Sequence, residues 1–259
     1  MSHQTTQTSD KTVWSTNVDG SSSVVLVCEH ASNNIPAEYE GLGLSPDDRE
    51  SHAAWDPGAM AVAQLISQQL DASLIASRVS RLVYDCNRPP DAPDAMPARS
   101  ELIDIPGNAN LSQPEREART NAIYRPFHSA LSKLVERVAH PVIVTMHSFT
   151  PIYFGKRRSV EIGVLHDSDT RLADAMLAAT TAHTDANVQR NEPYGPENGV
   201  THTLKQHAIR GGHLNVMLEV RNDLIKTHSQ QKAMAQVISG WLADAFGRTQ
   251  MPGDVQCRV

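Results

Sequence analysis

Three short apolar runs punctuate this chain, and each stops on residues that carry chemistry. Val24-Val25-Leu26-Val27-Cys28 stops at Glu29-His30, Val142-Ile143-Val144-Thr145-Met146 at His147-Ser148, and Asn215-Val216-Met217-Leu218 at Glu219-Val220-Arg221. Continuous β-branched runs of this length read as strands buried on both faces, the pattern of a parallel sheet. Further strands are predicted at Ser73–Ser77, over 81–84, at Val160–Leu165 and over 187–190. Helical spacing alternates with them. A helix is predicted from Pro57, with Asp56 as its N-cap and Met60, Val62, Ala63, Leu65, Ile66 and Leu70 on its apolar face. The Ser112–Glu115 capping box opens a second helix that runs to about residue 138 and is lined by Ile123, Phe127, Leu131, Leu134, Val135 and Val138. Others are predicted over 169–182, briefly over 199–208, and from an Asn222-Asp223 cap to Phe246. This alternation predicts an α/β fold: three layers, with a mostly parallel mixed sheet and helices on both faces. Residues 1–22 are polar and read as a mobile N-terminal tail, 23–250 as a single domain, and 251–259 as a C-terminal tail. The segment 87–110 holds five prolines and reads as a long functional or mobile loop.

Ligands in open α/β sheets bind outside the carboxyl ends of the strands, so residues at three such ends can converge. Two imidazoles, His30 and His147, together with carboxylates at one point suit a divalent metal, most often zinc, that activates water. Glu219 closes the third strand, and Asp56 precedes the helix.

Several strings together resemble the N-formylglutamate amidohydrolase (deformylase) family. They are Val27–Pro36 (VCEHASNNIP), Ala54–Ala59 (AWDPGA), Ser80–Pro89 (SRLVYDCNRP), Met146–Pro151 (MHSFTP), Asn191–Tyr194 (NEPY) and Leu218–Leu224 (LEVRNDL). The resemblance implies a phosphorylase/hydrolase-like fold similar to that of zinc carboxypeptidases. His147 resembles their strand-end metal ligand, and Glu219 lies on a strand like the one that carries their general base. Carboxypeptidases have a glutamate three residues after the first histidine, where this chain has Asn33. A neutral amide is a poor zinc ligand, so Asp56 is expected to complete the set; the competing reading of Asp56 is a plain N-cap. Asn87-Arg88 resembles the pair that holds a substrate carboxylate, for which a planar guanidinium is suited. Arg157, within the basic run 156–158, is a candidate for a side-chain carboxylate. Arg221 shares a strand face with Glu219, and His202 is a candidate hydrogen-bond donor.

The resulting expectation is metal-assisted hydrolysis of a small anionic N-acyl amino acid. One divalent ion, zinc, is held by His30, Asp56 and His147. Glu219 takes the proton from the attacking water and passes it to the leaving nitrogen, while Arg88, beside Asn87, places the carboxylate. The resemblance implies N-formyl-L-glutamate as substrate, yielding formate and L-glutamate, and a place in histidine breakdown. Another N-acyl amino acid, a peptide bond, or non-catalytic binding of carboxylated metabolites are the alternatives. A serine or cysteine nucleophile is disfavoured, because Ser148 lacks a Gly-x-Ser-x-Gly elbow. The chain's 29 acidic and 23 basic residues are interspersed, with a net charge of −6, so no basic face for nucleic acid is expected. Three cysteines without CxxC spacing suggest a reducing, cytoplasmic setting, and no run is long enough to span a membrane. The oligomeric state is left open.

Overall fold

The structure, a computed structural model, describes residues 11–258. Seven strands form one sheet: β1 (Val13–Thr16), β2 (Val24–Cys28), β3 (Ser73–Ser77), β4 (Val142–Phe149), β5 (Ile162–Leu165), β6 (Val188–Arg190) and β7 (Asn215–Arg221). Their spatial order is β1-β3-β2-β4-β7-β5-β6. The central four, β3, β2, β4 and β7, are parallel. At the edges β1 runs antiparallel to β3 and β5 antiparallel to β7, while β6 is parallel to β5.

Each continuous apolar run feeds two cores at once, because successive strand side chains point to opposite faces. Val24, Leu26 and Cys28, with Val144, Met146, Val216 and Leu218, pack beneath α1 (Ala59–Leu70) and the later helices of that face. Val25, Val27, Ile143 and Met217 face the opposite way, toward α3 (Arg125–Arg137), which continues α2 (Gln113–Arg119) through a π turn. Pro126 has no N–H to offer the helical ladder, which accounts for the widened turn just before it. Helices α4 (Arg171–His183) and α6 (His228–Thr249) pack side by side on the α1 face, where the Trp241 indole N–H donates to the Met176 carbonyl at 2.6 Å. The short α5 (His202–His207) lies on the α3 face. The expected three-layer, mostly parallel mixed sheet is present.

Several boundaries differ from expectation for identifiable reasons. Residues 1–10 of the expected N-terminal tail lie outside the described residues, but Val13–Thr16 forms an edge strand paired with β3. The C-terminal segment is likewise docked: Val255 is buried, and the Ser23 N–H donates to the Asp254 carbonyl at 2.7 Å. Residues 81–84 form a turn rather than a strand. The Ser80 hydroxyl accepts from the Leu82 N–H and donates to the Ala54 carbonyl, leaving Leu82, Val83 and Tyr84 buried as packing. The closing helix is capped by Thr227 with Gln230, not by Asn222-Asp223. The proline-rich segment is pinned. The Asn108 amide donates to the Leu82 and Pro97 carbonyls, and the buried Arg119 guanidinium donates to Asn108 Oδ1 and the Gly107 carbonyl.

Candidate active site

The carboxyl ends of the parallel strands open into a cavity of about 270 Å³. His147 and Glu219 face each other across the β4–β7 register, on the sheet face that also carries Ile143 and Met217. His30 enters from the turn after β2. Asp56 arrives through Pro57-Gly58, and this turn answers the N-cap question. Gly58, at φ 84°, caps α1 itself, and a Cβ there would lie 2.6 Å from the Ile225 carbonyl oxygen. Only glycine tolerates that conformation and approach. The turn frees the Asp56 side chain from the helix and aims it at the histidines. Asn33 takes no part, since its amide donates to the Arg49 carbonyl.

Three atoms converge. Asp56 Oδ2 lies 2.9 Å from His147 Nδ1 and 3.3 Å from His30 Nδ1, and the two Nδ1 atoms are 3.2 Å apart. A tetrahedral zinc with ligands at about 2.0–2.1 Å separates those ligands by about 3.3 Å, so the spacing fits one such ion. Among the described residues this is the group of His, Cys, Asp and Glu side chains able to hold a metal. Each imidazole turns its far nitrogen to a carboxylate: His30 Nε2 to Asp85 Oδ1 at 2.8 Å, and His147 Nε2 to Glu29 Oε2 at 3.1 Å. Such partners select the tautomer that leaves the Nδ1 lone pairs free. With the far nitrogens protonated, two lone pairs and a carboxylate oxygen are directed at one point, an arrangement that a cation between them would stabilise.

Charge gives the same answer independently. Glu29, Asp56, Asp85 and Glu219 are all at most 5% exposed. The guanidinium bonded to this group is that of Arg81, 3.4 Å from Asp56 Oδ1 and 3.6 Å from Asp85 Oδ2. Glu29, Asp56 and Asp85 against one guanidinium leave a net negative charge in a buried site when the imidazoles are neutral, and ionisation of Glu219 would add to it. Burial opposes ionisation of Asp56 and Asp85, yet the adjacent imidazoles hold both below the usual carboxylate range. Burial likewise opposes charge on His147, but Glu29 and Asp56 raise its pKa well above the ordinary value. Glu219 behaves differently. Burial, reinforced by Asp56, pushes its carboxyl up to about 7, and its Oε2 has no hydrogen-bond partner. A carboxyl poised near neutrality suits proton transfer.

Of the expected substrate contacts, Asn87 and Arg88 line the cavity. The Asn87 amide is committed to α5 and the loop before it, accepting from the Thr203 N–H and donating to the Val200 carbonyl. Arg88 donates Nε–H to Asp94 at 2.6 Å and Nη1–H to the Asn87 and Gly199 carbonyls, leaving Nη2 with one long bond to Asn198. The other three expected contacts lie elsewhere. Arg157 is exposed on a two-stranded hairpin, Ile152–Tyr153 with Lys156–Arg157, and does not line the cavity. His202 bonds the Tyr124 hydroxyl at 2.8 Å, within a cluster that includes His128. Arg221 is captured by Asp223 at 2.7 Å and Glu161 at 3.2 Å, which neutralise it beside β5. Sequence reasoning missed Arg81, Asp85 and Tyr194. Arg81 opens the turn misread as a strand and Asp85 follows it, four residues on, while Tyr194 follows the cis Glu192-Pro193 bond.

Comparison with known proteins agrees with this geometry. The sequence pattern of the family described as N-formylglutamate amidohydrolase matches residues 22–226. The crystal structure of gene product Atu2144 from Agrobacterium tumefaciens superposes with a TM-score of 0.91 at 52% identity, over 93% of this chain and 97% of its own. N-formylglutamate amidohydrolase from Ralstonia eutropha JMP134 shares the fold at 18% identity and a TM-score of 0.59, over 88% of this chain and 94% of its own. No curated protein matches. The matched span runs from the start of β2 past the end of β7 and takes in every side chain that converges in the cavity, so the chain belongs to the N-formylglutamate amidohydrolase family.

Proposed function

We propose that this amidohydrolase holds one zinc ion on His30, Asp56 and His147 and cleaves the amide bond of a small anionic N-acyl amino acid. Within that class, N-formyl-L-glutamate is the substrate and formate and L-glutamate are the products. The observation that carries the reading is Glu219: a buried, unpaired carboxyl near neutrality, in register with a candidate metal ligand and open to the cavity. Nitrogen and carboxylate donors in a near-tetrahedral spacing favour zinc.

When bound, the metal supplies water activation and polarisation of the scissile carbonyl. Glu219 takes the proton of the attacking water and delivers it to the amide nitrogen as the C–N bond breaks. The Arg81 guanidinium lines the cavity beside Asp56 and faces the charge that develops on the carbonyl oxygen. Arg88 offers Nη2 to the α-carboxylate. Asn87 holds the 200–203 loop against Arg88 and so fixes the outer wall. Asp85 orients the His30 imidazole. Three free cysteines fit a reducing, cytoplasmic setting. Among the described residues, no helix is long and apolar enough to cross a membrane.

The test is formate release from N-formyl-L-glutamate by zinc-loaded protein, run beside N-acetyl- and N-succinyl-L-glutamate and N-formyl derivatives of neutral amino acids. Zinc-dependent turnover that is fastest on N-formyl-L-glutamate is expected. Cleavage of none of them, or cleavage that survives exhaustive chelation, overturns the reading.

A further inference from the structure

Glu29 follows the last residue of β2 and precedes a candidate metal ligand, yet its side chain does not line the cavity. Its carboxylate is 0% exposed and lies 3.1 Å from His147 Nε2. The ring N–H points off the line to the oxygen, so neither Glu29 oxygen has a well-aligned hydrogen bond. The buried Thr203 hydroxyl lies beside it and interacts favourably with its ionised form. Asp85, which does the corresponding job for His30, is built differently. It also accepts the Asn87 N–H at 2.8 Å and pairs with Arg81, so it is satisfied by the protein alone. Glu29 has neither a backbone N–H nor a guanidinium, only His147 and the Thr203 hydroxyl. A buried carboxylate without aligned hydrogen bonds is strongly unfavourable unless positive charge is close by. The imidazole lies between Glu29 and the point where the three candidate ligand atoms meet, so a cation on Nδ1 would supply that charge through the ring.

Resting on the metal-site reading above, we propose that Glu29 is the positioning residue of His147. It holds the Nε2–H tautomer that leaves Nδ1 free for the metal, and its charge raises the affinity of the site for a dication. Thr203 supports it from the first turn of α5. Because the Thr203 N–H also holds Asn87 beside Arg88, the same contact ties the metal centre to the substrate-carboxylate wall.

The experiment starts from zinc-loaded protein and measures the zinc dissociation constant by competition with a chromophoric chelator, with melting temperatures recorded before and after zinc is stripped. Glu29→Gln keeps the shape and an acceptor oxygen but removes the charge. Its zinc dissociation constant should rise roughly 10–100-fold. The stripped Glu29→Gln protein should still fold, so the zinc dissociation constant is read on a native structure. Thr203→Val should shift zinc affinity in the same direction by less. A purely structural Glu29 would lower the melting temperature of the stripped variant and leave the zinc dissociation constant unchanged, and that unchanged constant overturns the proposal. If Glu29→Gln does not fold, Glu29→Asp decides. It retains the charge but withdraws it from Nε2, so it should also weaken zinc binding, and wild-type affinity in that variant would overturn the role. Wild-type protein that binds no zinc would instead overturn the metal-site reading itself, an outcome distinct from normal wild-type binding with unaffected Glu29 variants.

Discussion

Replacing Glu219 by glutamine separates catalysis from architecture in a single atom. The amide keeps the volume of the side chain on β7, opposite His147, but cannot accept the water's proton. A positioned acid–base group contributes about 10²–10⁴ in rate, so kcat should fall by that factor, equivalent to about 3–5 kcal/mol in the barrier. The effect on stability has the opposite sign. The folded protein raises the Glu219 carboxyl from 4.5 to about 7, with burial the largest cause, opposed by His147 and reinforced by Asp56. A raised acid is one whose ionised form the fold disfavours, so native Glu219 lowers stability as pH rises through that range. A neutral amide escapes this, and the zinc-free Glu219→Gln variant should be more stable than zinc-free wild type by on the order of 2–3 kcal/mol above neutral pH. The assays are formate release by the zinc-loaded protein, zinc content by elemental analysis, and chemical denaturation of the stripped protein. Near-wild-type kcat with zinc retained would place the base elsewhere. Loss of zinc would make Glu219 a ligand instead, and either result refutes the reasoning.

Three further outcomes are expected. His147→Ala should abolish stoichiometric zinc and turnover together, since it removes one of three converging donors; undiminished zinc by elemental analysis would refute the ligand set. Arg88→Ala should impair free-acid substrates far more than matched carboxamides, by a few kcal/mol in kcat/KM, and equal losses on both would reassign Arg88 to its structural bonds with Asp94 and Gly199. Burial, followed by the neighbouring His128, depresses His202 to about 4 and His207 to about 3, so the unfolded chain binds more protons below pH 6.5; stability should fall as pH drops from about 6.5 toward 4, and His207→Gln should flatten that slope in melting temperature against pH.

The central strands were legible because a sheet covered on both faces leaves no room for polar alternation. Val24–Cys28 and the runs opening β4 and β7 therefore announce themselves by composition alone. The edge strand Val13–Thr16 was not legible. It is four residues long with only Val13 fully buried, and its identity depends on pairing with β3, far along the chain. The turn at 81–84 was misread for the converse reason. Leu82, Val83 and Tyr84 are as buried as strand residues, but the Ser80 hydroxyl and loop packing bury them, not a ladder.

The same distinction separates what could be seen of the site. His30, His147 and Glu219 were readable because strand ends in a parallel sheet share one rim, so position along the chain predicts position in space. Asp56 was readable only as a choice between ligand and cap, and the left-handed Gly58 takes the cap position itself. Glu29 and Asp85 were not readable in their present roles, because a carboxylate becomes an imidazole's partner only through a contact that crosses between elements. Arg221 shows the limit of face logic: sharing a strand side with Glu219 says where a side chain starts, but Glu161 and Asp223 determine where its charge ends. Backbone periodicity therefore places the donors, whereas the charge balance around them arises only in three dimensions. Variants of the outer carboxylates should accordingly tune zinc affinity, whereas variants of the strand-end histidines should remove it.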